Sequence, residues 1–148
     1  MRQKDKERIF KKLDKLSKKV PWSKQLFSMK NRFPNFEFHS VNTTNKHFIG
    51  ELQPTKDSPK YRVKILYRTN KKPKVYVLEP EILDSAPHRY SDNSLCLYYP
   101  DDLSFDQYSV IADTIIPWTI EWLYFYEIWL EDNVWWGKEA PHYIYEDK

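Results

Sequence analysis

One cysteine is the residue of this sequence best suited to chemistry on a carbonyl group. Cys96 lies in the segment PHRYSDNSLCLYYPDD, residues 87–102, and His88 precedes it by eight positions. A thiolate is intrinsically nucleophilic, so it needs little besides a nearby base or a stabilised oxyanion to accept an acyl group. The alternative is a small buried hydrophobic residue, which the flanking Leu95 and Leu97 favour. His88 has a comparable alternative, as a structural histidine bonded to the loop backbone.

The segment that carries these residues reads as an irregular loop. Glu81 to Asp102 shows no helical or strand period, and three prolines interrupt it or flank it. Loops held on a rigid scaffold are where catalytic groups concentrate. The run SDN at 91–93 can form a turn whose side chains and N–H groups could stabilise an oxyanion.

Other kinds of site are disfavoured by the composition. The two glycines are too few for a P-loop or a dinucleotide-binding fingerprint, which need several glycines close together. A single cysteine excludes an intrachain disulfide, a cysteine zinc cluster and a CxxC redox pair. The four histidines show no close metal-ligand spacing. We therefore expect no cofactor and no metal.

The elements that must position this loop form one α+β domain over residues 1–148. A basic amphipathic helix is predicted over 5–19, within a basic start at 1–20, and Pro21 ends it. Alternating apolar residues then predict an antiparallel meander of four strands. The strands are expected at 36–41, 46–53, 61–67 and 74–80.

Helices are predicted again after the loop, at 105–116 and 117–131. Ser104 and Gln107 resemble a capping box, and Pro117 suits the first turn of a helix. The second helix carries an aromatic stripe that is typical of a core, so we expect it to pack against the apolar faces of 61–67 and 75–77.

The net charge of +3 conceals a strong asymmetry. Residues 1–77 hold 21 Lys and Arg against 6 Asp and Glu, whereas residues 78–148 hold 3 against 15. This indicates either mutual neutralisation within the fold, or two different contacts or self-association. It is not the pattern of a uniformly basic nucleic-acid binder. Without a secretory pattern or a span long enough for a bilayer, we expect a cytoplasmic protein that binds neither nucleic acid nor membrane.

The order of these elements resembles the ubiquitin-conjugating fold. In that family a His-Pro-Asn motif precedes a cysteine held in a segment such as I-C-L, and here His88 precedes L-C-L at 95–97. The resemblance is closer to a bacterial branch found in antiphage CBASS operons beside a cGAS/DncV-like nucleotidyltransferase. Those proteins share the run ADTIIPWTIEWLYFYEIW, here 112–129, and a tail similar to WWGKEAPH, here 135–142.

The resemblance implies that Cys96 is the nucleophile of an acyl carrier, which forms a thioester with the C-terminus of the partner nucleotidyltransferase and so regulates cyclic-nucleotide signalling. His88 would order the loop or transfer a proton. Arg89-Tyr90 replaces the Pro-Asn of the family motif, so Tyr90 and Asn93 are the candidates for oxyanion support. Thioester formation from a free carboxylate is uphill, so either an activating enzyme from elsewhere supplies ATP chemistry or the stored complex is unusually protected. The alternative is a non-catalytic adaptor that holds the nucleotidyltransferase.

Overall fold

The chain folds as an N-terminal pair of helices, a four-stranded sheet, a long loop and a C-terminal helix. The computed structural model describes residues 2–42, 44–68, 71–97, 105–106 and 108–137, with the backbone alone for 13–18. Its helices are α1 (Gln3–Lys18), α2 (Trp22–Arg32) and α3 (Ile115–Asp132), and a short 3-10 helix, Ile111–Asp113, precedes α3. Its strands are β1 (Glu37–Ser40), β2 (Asn45–Leu52), β3 (Tyr61–Arg68) and β4 (Lys74–Glu79).

The sheet is the antiparallel meander that the alternation predicts. Its order is β1-β2-β3-β4, so β1 and β4 are the edges. On β3, Tyr61, Val63 and Ile65 are buried while Arg62 between them is exposed. Because side chains alternate between the two faces of a strand, one face of the sheet is apolar and the other is polar. The α+β class and the four-stranded meander are confirmed.

The apolar face of the sheet and α3 share one core. Trp122, Leu123 and Tyr126 of α3 belong to the same buried cluster as Val63 and Ile65. A polar contact also joins the two layers, because the Ser58 hydroxyl donates to Glu127 over 2.9 Å. The prediction that the aromatic helix is a core element is therefore confirmed, and Trp122 is only 4% exposed.

A helix that the sequence analysis did not predict, α2, covers part of this core. Trp22, Leu26 and Met29 fall at helical spacing and pack on the cluster. Gln25 on the same helix is buried with both ends of its amide hydrogen-bonded: Nε2 donates to the Ser109 carbonyl and Oε1 accepts the Ile111 N–H, both at 2.8 Å. This side chain ties the segment before α3 to α2.

The predicted helix at 105–116 is wrong in the part that the structure describes. Asp106 accepts the Tyr108 N–H at 2.8 Å and the Ser109 hydroxyl at 3.1 Å, which is a local turn that competes with helical hydrogen bonding. Gln25 then takes the Ile111 N–H, so only the 3-10 turn forms before α3. The proposed capping pair, Ser104 and Gln107, lies outside the described residues.

α1 differs from the other helices in how much of its surface faces solvent. Phe10 is 74% exposed and Ile9 is also exposed, among the mainly exposed side chains described between 2 and 12. None of the helices in the described part of the chain is both long and apolar enough to cross a membrane.

The burial of Trp122 predicts a large loss of stability on truncation. Trp122→Ala should lower the free energy of unfolding by about 3–5 kcal/mol, because it removes a large core side chain and leaves a cavity. Urea denaturation would measure this. Trp136→Ala is the matched control, since Trp136 is 64% exposed, and it should cost less than about 1 kcal/mol. Equal losses in the two variants would contradict the assignment of α3 to the core.

Candidate functional site

The loop that carries Cys96 is docked on the outer edge of β4. β3 pairs with one side of β4, and Leu95 reaches the other side, where its N–H donates to the Val75 carbonyl over 2.9 Å. The loop also folds on itself as a short hairpin, with Arg89 opposite Leu95 in an antiparallel bridge. An edge strand offers unpaired main-chain groups. The bond from Leu95 to Val75 therefore fixes the position of this hairpin along β4.

His88 and Cys96 face each other across the hairpin. The Cys96 N–H donates to the His88 carbonyl over 2.9 Å, and the indole Nε1–H of Trp122 donates to the same oxygen over 3.0 Å. A carbonyl oxygen has two lone pairs, so both donors can be accepted together. One oxygen of His88 thus joins the cysteine backbone to the core helix α3.

The side chain and backbone of His88 are also constrained. Its φ is +60°, a left-handed conformation that non-glycine residues rarely adopt and that is stabilised only by its surroundings. Its ring lies 4.9 Å from that of Trp135, centroid to centroid, and Trp135 in turn packs on Trp122 at 5.3 Å. Trp135 follows α3, so the chain beyond that helix returns to the site.

The tip of the hairpin is a tight turn between Tyr90 and Ser94. The Tyr90 N–H donates to the Ser94 carbonyl, and the Asn93 N–H donates to the Tyr90 carbonyl, both at 2.9 Å. Asn93 has φ +72°, a conformation that asparagine tolerates better than most residues. The turn expected at 91–93 is confirmed. Tyr90 is buried and Asn93 is exposed.

Asp92 holds this turn in place and anchors it to β4. Its carboxylate accepts the Ser94 N–H at 2.9 Å and the Ser94 hydroxyl at 2.6 Å. It also accepts the Tyr76 hydroxyl at 3.2 Å and pairs with the ammonium group of Lys74. Partial burial acts to raise the pKa of Asp92, but hydrogen bonds from Lys74 and Ser94 and the Lys74 charge outweigh it and hold the pKa well below its usual range.

The thiol of Cys96 is less accessible than a catalytic role requires. Cys96 is 8% exposed, so the expectation of a solvent-accessible nucleophile is not met in this conformation. Leu95 and Leu97 both belong to the central apolar cluster. Their burial holds the segment that carries Cys96 against the core. Cys96 itself is among the buried apolar residues of the described chain.

The four predicted site residues differ in how closely the structure connects them to Cys96. His88 and Cys96 are joined directly through the backbone, while Tyr90 and Asn93 form the turn ahead of Cys96. The roles of all four in acyl transfer stay predictions. Sequence reasoning did not single out Trp122, Trp135 or Asp92 as supports of the site. The shared runs 112–129 and 135–142 contain the two tryptophans and are the signal that could have found them.

The described residues were also compared with the ligand sets that bind metal ions. Within the described ranges, no three His, Cys, Asp or Glu side chains are grouped so that they could hold a metal ion.

The helix, meander and cysteine-bearing loop define a domain of the ubiquitin-conjugating type. The sequence profile of the family described as Type II CBASS E2 protein matches residues 25–143. This covers most of the chain, which therefore belongs to that family. No curated protein matches the sequence.

The Asp92 contacts predict a pH-dependent contribution to stability. The pKa of Asp92 is lower in the folded chain than in the unfolded one, so the carboxylate stabilises the fold above the ordinary aspartate pKa of about 4. That stabilisation is lost as the pH falls toward the folded-state pKa. Asp92→Asn should thus destabilise the protein most at pH 7 and somewhat less near about pH 3, where the loss has begun but Asp92 of the folded chain is still largely ionised.

Urea denaturation at the two pH values measures this difference. Asp57→Asn, which alters an exposed carboxylate in the β2–β3 turn, is the matched control and should have little effect at either pH. An Asp92→Asn effect that is equal at both pH values would show that the ion pair with Lys74 does not contribute.

Proposed function

We propose that this protein is a cysteine-dependent acyl carrier that forms a thioester through Cys96 with the C-terminus of a partner cGAS/DncV-like nucleotidyltransferase. Membership in the family of Type II CBASS E2 proteins supports the conjugating role and a nucleotidyltransferase partner. The observation that carries the proposal is the bond between the Cys96 N–H and the His88 carbonyl, because it fixes the cysteine at the end of a loop docked on the sheet edge.

The reaction begins from an activated C-terminal carboxyl group, supplied as an acyl adenylate or a thioester. The Cys96 thiolate attacks the carbonyl carbon, a C–S bond forms, and the bond to the leaving group breaks. The thiol proton passes to solvent or to the leaving group. Thioester formation from a free carboxylate is uphill, so activation depends on ATP chemistry in a separate activating enzyme. The acyl group then moves to a lysine or another acceptor, or to water.

His88 supports this chemistry chiefly by ordering the loop. Its carbonyl is already shared between Cys96 and Trp122, and its ring lies against Trp135. A histidine held in this way positions the cysteine backbone, and proton transfer by its imidazole is the alternative role. Oxyanion support is assigned to Tyr90 and Asn93, whose turn lies directly before the cysteine segment.

The partner's C-terminal tail is expected to bind as an extended segment beside the hairpin. β4 already uses the Val75 carbonyl of its outer edge to hold Leu95, and the strand continues to Glu79. Main-chain hydrogen bonds along a strand edge give affinity with little dependence on the side chains of the peptide. Tail binding must also move the groups that cover Cys96, since the thiol is 8% exposed. Modification of the nucleotidyltransferase would then regulate cyclic-nucleotide synthesis in antiphage defence.

The burial of Cys96 favours a second candidate, a non-catalytic adaptor. An adaptor needs the conjugating fold as a binding scaffold for the nucleotidyltransferase, and it does not need an accessible thiol. The two candidates differ in one observable property, because only the acyl carrier forms a covalent bond with its partner.

Substitution of Cys96 tests this difference directly. On co-expression with the nucleotidyltransferase and an activating enzyme that supplies the ATP chemistry, the wild type should give a covalent species that thiol reductant or hydroxylamine removes. Cys96→Ala should abolish it, because the nucleophile is lost. Cys96→Ser should either abolish it or give a longer-lived ester, since a hydroxyl is a poorer nucleophile and its ester is more stable than a thioester. Intact-mass spectrometry reads all three results.

The stability of the same variants separates the two candidates further. If the thiol served only in packing, Ala would leave a void and Ser would bury an unpaired hydroxyl, so unfolding free energy would fall by about 1–3 kcal/mol. Such a loss, together with no covalent species in the wild type, would refute the acyl carrier and leave the adaptor.

The basic helix α1 is expected to serve protein association. Residues 1–19 carry nine Lys and Arg against three Asp and Glu. In the conjugating family this helix helps dock the activating enzyme, and the exposed Ile9 and Phe10 add apolar contact area here. Contact between α1 and a protein partner is compatible with both the acyl carrier and the adaptor.

Deletion of residues 1–19 should leave a folded domain and slow association with a protein partner. The charges of this segment mainly steer encounter, so the loss should lie in the association rate and shrink at high salt. Surface plasmon resonance at low and high ionic strength measures the association rate and its dependence on salt. Unchanged association at low salt would remove this role, and a collapse of the thermal transition would show that α1 belongs to the fold.

A further inference from the structure

The chain reverses direction directly after α3 and returns to the cysteine loop. Asn133 ends the helix in a left-handed conformation, with φ +59°, and its N–H donates to the Trp129 carbonyl over 2.8 Å. A left-handed residue at this position turns the backbone out of the helical path. The next four residues, 134–137, form a short segment that we call the strap. It brings the ring of Trp135 to 4.9 Å from that of His88.

Asp132, the last residue of α3, fastens the strap at its start. Its carboxylate accepts the Val134 N–H at 2.9 Å and the indole N–H of Trp136 at 3.0 Å. Both hydrogen bonds are exposed, so water competes for the same groups and the net contribution of each bond is small. The strap is thus held at this end by contacts that cost little to break.

The far end of the strap is seated by a close approach to α3. A Cβ atom added to Gly137 would lie 2.8 Å from Cδ2 of Phe125 and 2.9 Å from Nε1 of Trp135, closer than real Cβ atoms come to other heavy atoms. The Trp135 ring itself packs on Trp122 at 5.3 Å and on Phe125 at 6.2 Å, centroid to centroid. A larger residue at position 137 would therefore displace the strap or the rings beneath it.

One polar atom makes this seat less stable than its apolar contacts alone. Within the described part of the chain, the indole Nε1–H of Trp135 is buried and has no hydrogen-bond acceptor. A buried donor that has lost water without gaining an acceptor costs free energy. Water would satisfy this N–H once the strap lifts, so release of the strap recovers part of that cost.

We propose that the strap holds the cysteine loop closed and that its release makes the Cys96 thiol accessible. Trp135 acts through His88, whose ring it contacts and whose carbonyl accepts the Cys96 N–H at 2.9 Å. The left-handed backbone of His88 persists only with support from its surroundings. When Trp135 leaves, that support is reduced, and the hairpin around Cys96 opens while the rest of the fold stays intact.

The use of this device rests on the function proposed above. A strap that keeps the thiol buried until the nucleotidyltransferase binds would confine acyl transfer to the complex. The release itself is a property of this chain alone, so a small electrophile can measure it without any partner.

Alkylation of Cys96 by iodoacetamide in the folded, full chain measures the release. Cys96 is the only cysteine of the sequence, so intact-mass spectrometry reports it alone. Trp135→Ala should raise the alkylation rate without urea by at least about tenfold, and the rate should stay nearly constant well below the unfolding transition. Gly137→Ala should change the rate in the same direction. Leu130→Ala, which removes an exposed side chain of α3, is the matched control and should be alkylated at the wild-type rate.

A second control separates release of the strap from loss of global stability. Leu26→Ala weakens the core on α2, a helix that contacts β1, the sheet edge opposite the cysteine loop. Alkylation in this variant should rise only in step with the globally unfolded fraction. If circular dichroism shows that Trp135→Ala does not fold, Gly137→Ala decides the question, because it leaves every side chain around Cys96 in place.

Two results would overturn the inference. They are wild-type alkylation rates in Trp135→Ala and Gly137→Ala, and an increase that follows global unfolding as it does in Leu26→Ala. The covalent adduct with the nucleotidyltransferase remains the separate readout of the proposed function. Faster alkylation in the strap variants with no adduct in the wild type would support the strap and refute the acyl carrier. An adduct with unchanged alkylation in those variants would support the carrier and refute the strap.

Discussion

The carbonyl oxygen of His88 is the point at which the sheet, the loop and the C-terminal helix are joined. It accepts the Cys96 N–H from the loop and the indole N–H of Trp122 from α3. The hairpin that carries it is fixed to β4 through Leu95 and Val75. An irregular loop has few regular hydrogen bonds, so these contacts decide where the cysteine lies. The left-handed backbone of His88 is a cost that this arrangement must offset.

The charge asymmetry of the sequence acquires a partial explanation in the structure. Lys74 from the basic half pairs with Asp92 from the acidic half at the tip of the hairpin. Arg32 of α2 pairs with Asp113 before α3 in the same way. Both pairs join segments that are distant in the chain, and one of them stabilises the site. The expected neutralisation within the fold therefore occurs at these two places, while α1 keeps an exposed basic surface.

The sequence predicts best what depends on local pattern. The four strands follow from alternation, and α3 follows from its aromatic stripe and from Pro117 near its start. The helix at 105–116 failed because Asp106 and the distant Gln25 take the hydrogen bonds that a helix would use. α2 was overlooked although its apolar residues have helical spacing.

The candidate site also has one part that local sequence predicts and another that depends on tertiary contacts. Residue type and spacing singled out Cys96 and His88, and the structure joins them. The support of His88 by Trp122 and Trp135 could not be read from the sequence, because contacts between residues 34 or more positions apart depend on how the whole chain packs. The covering of the thiol is likewise a tertiary property.

The central claim is that Cys96, although buried in this conformation, is a nucleophile that can be reached without global unfolding, and the direct measurement is its alkylation by iodoacetamide in the folded protein. The alkylation rate should stay nearly constant at low urea and follow the unfolding curve only near the transition, as local opening requires. Mass spectrometry of samples taken across the urea series gives this rate. A rate that tracks global unfolding at every urea concentration would show a core cysteine and contradict the account.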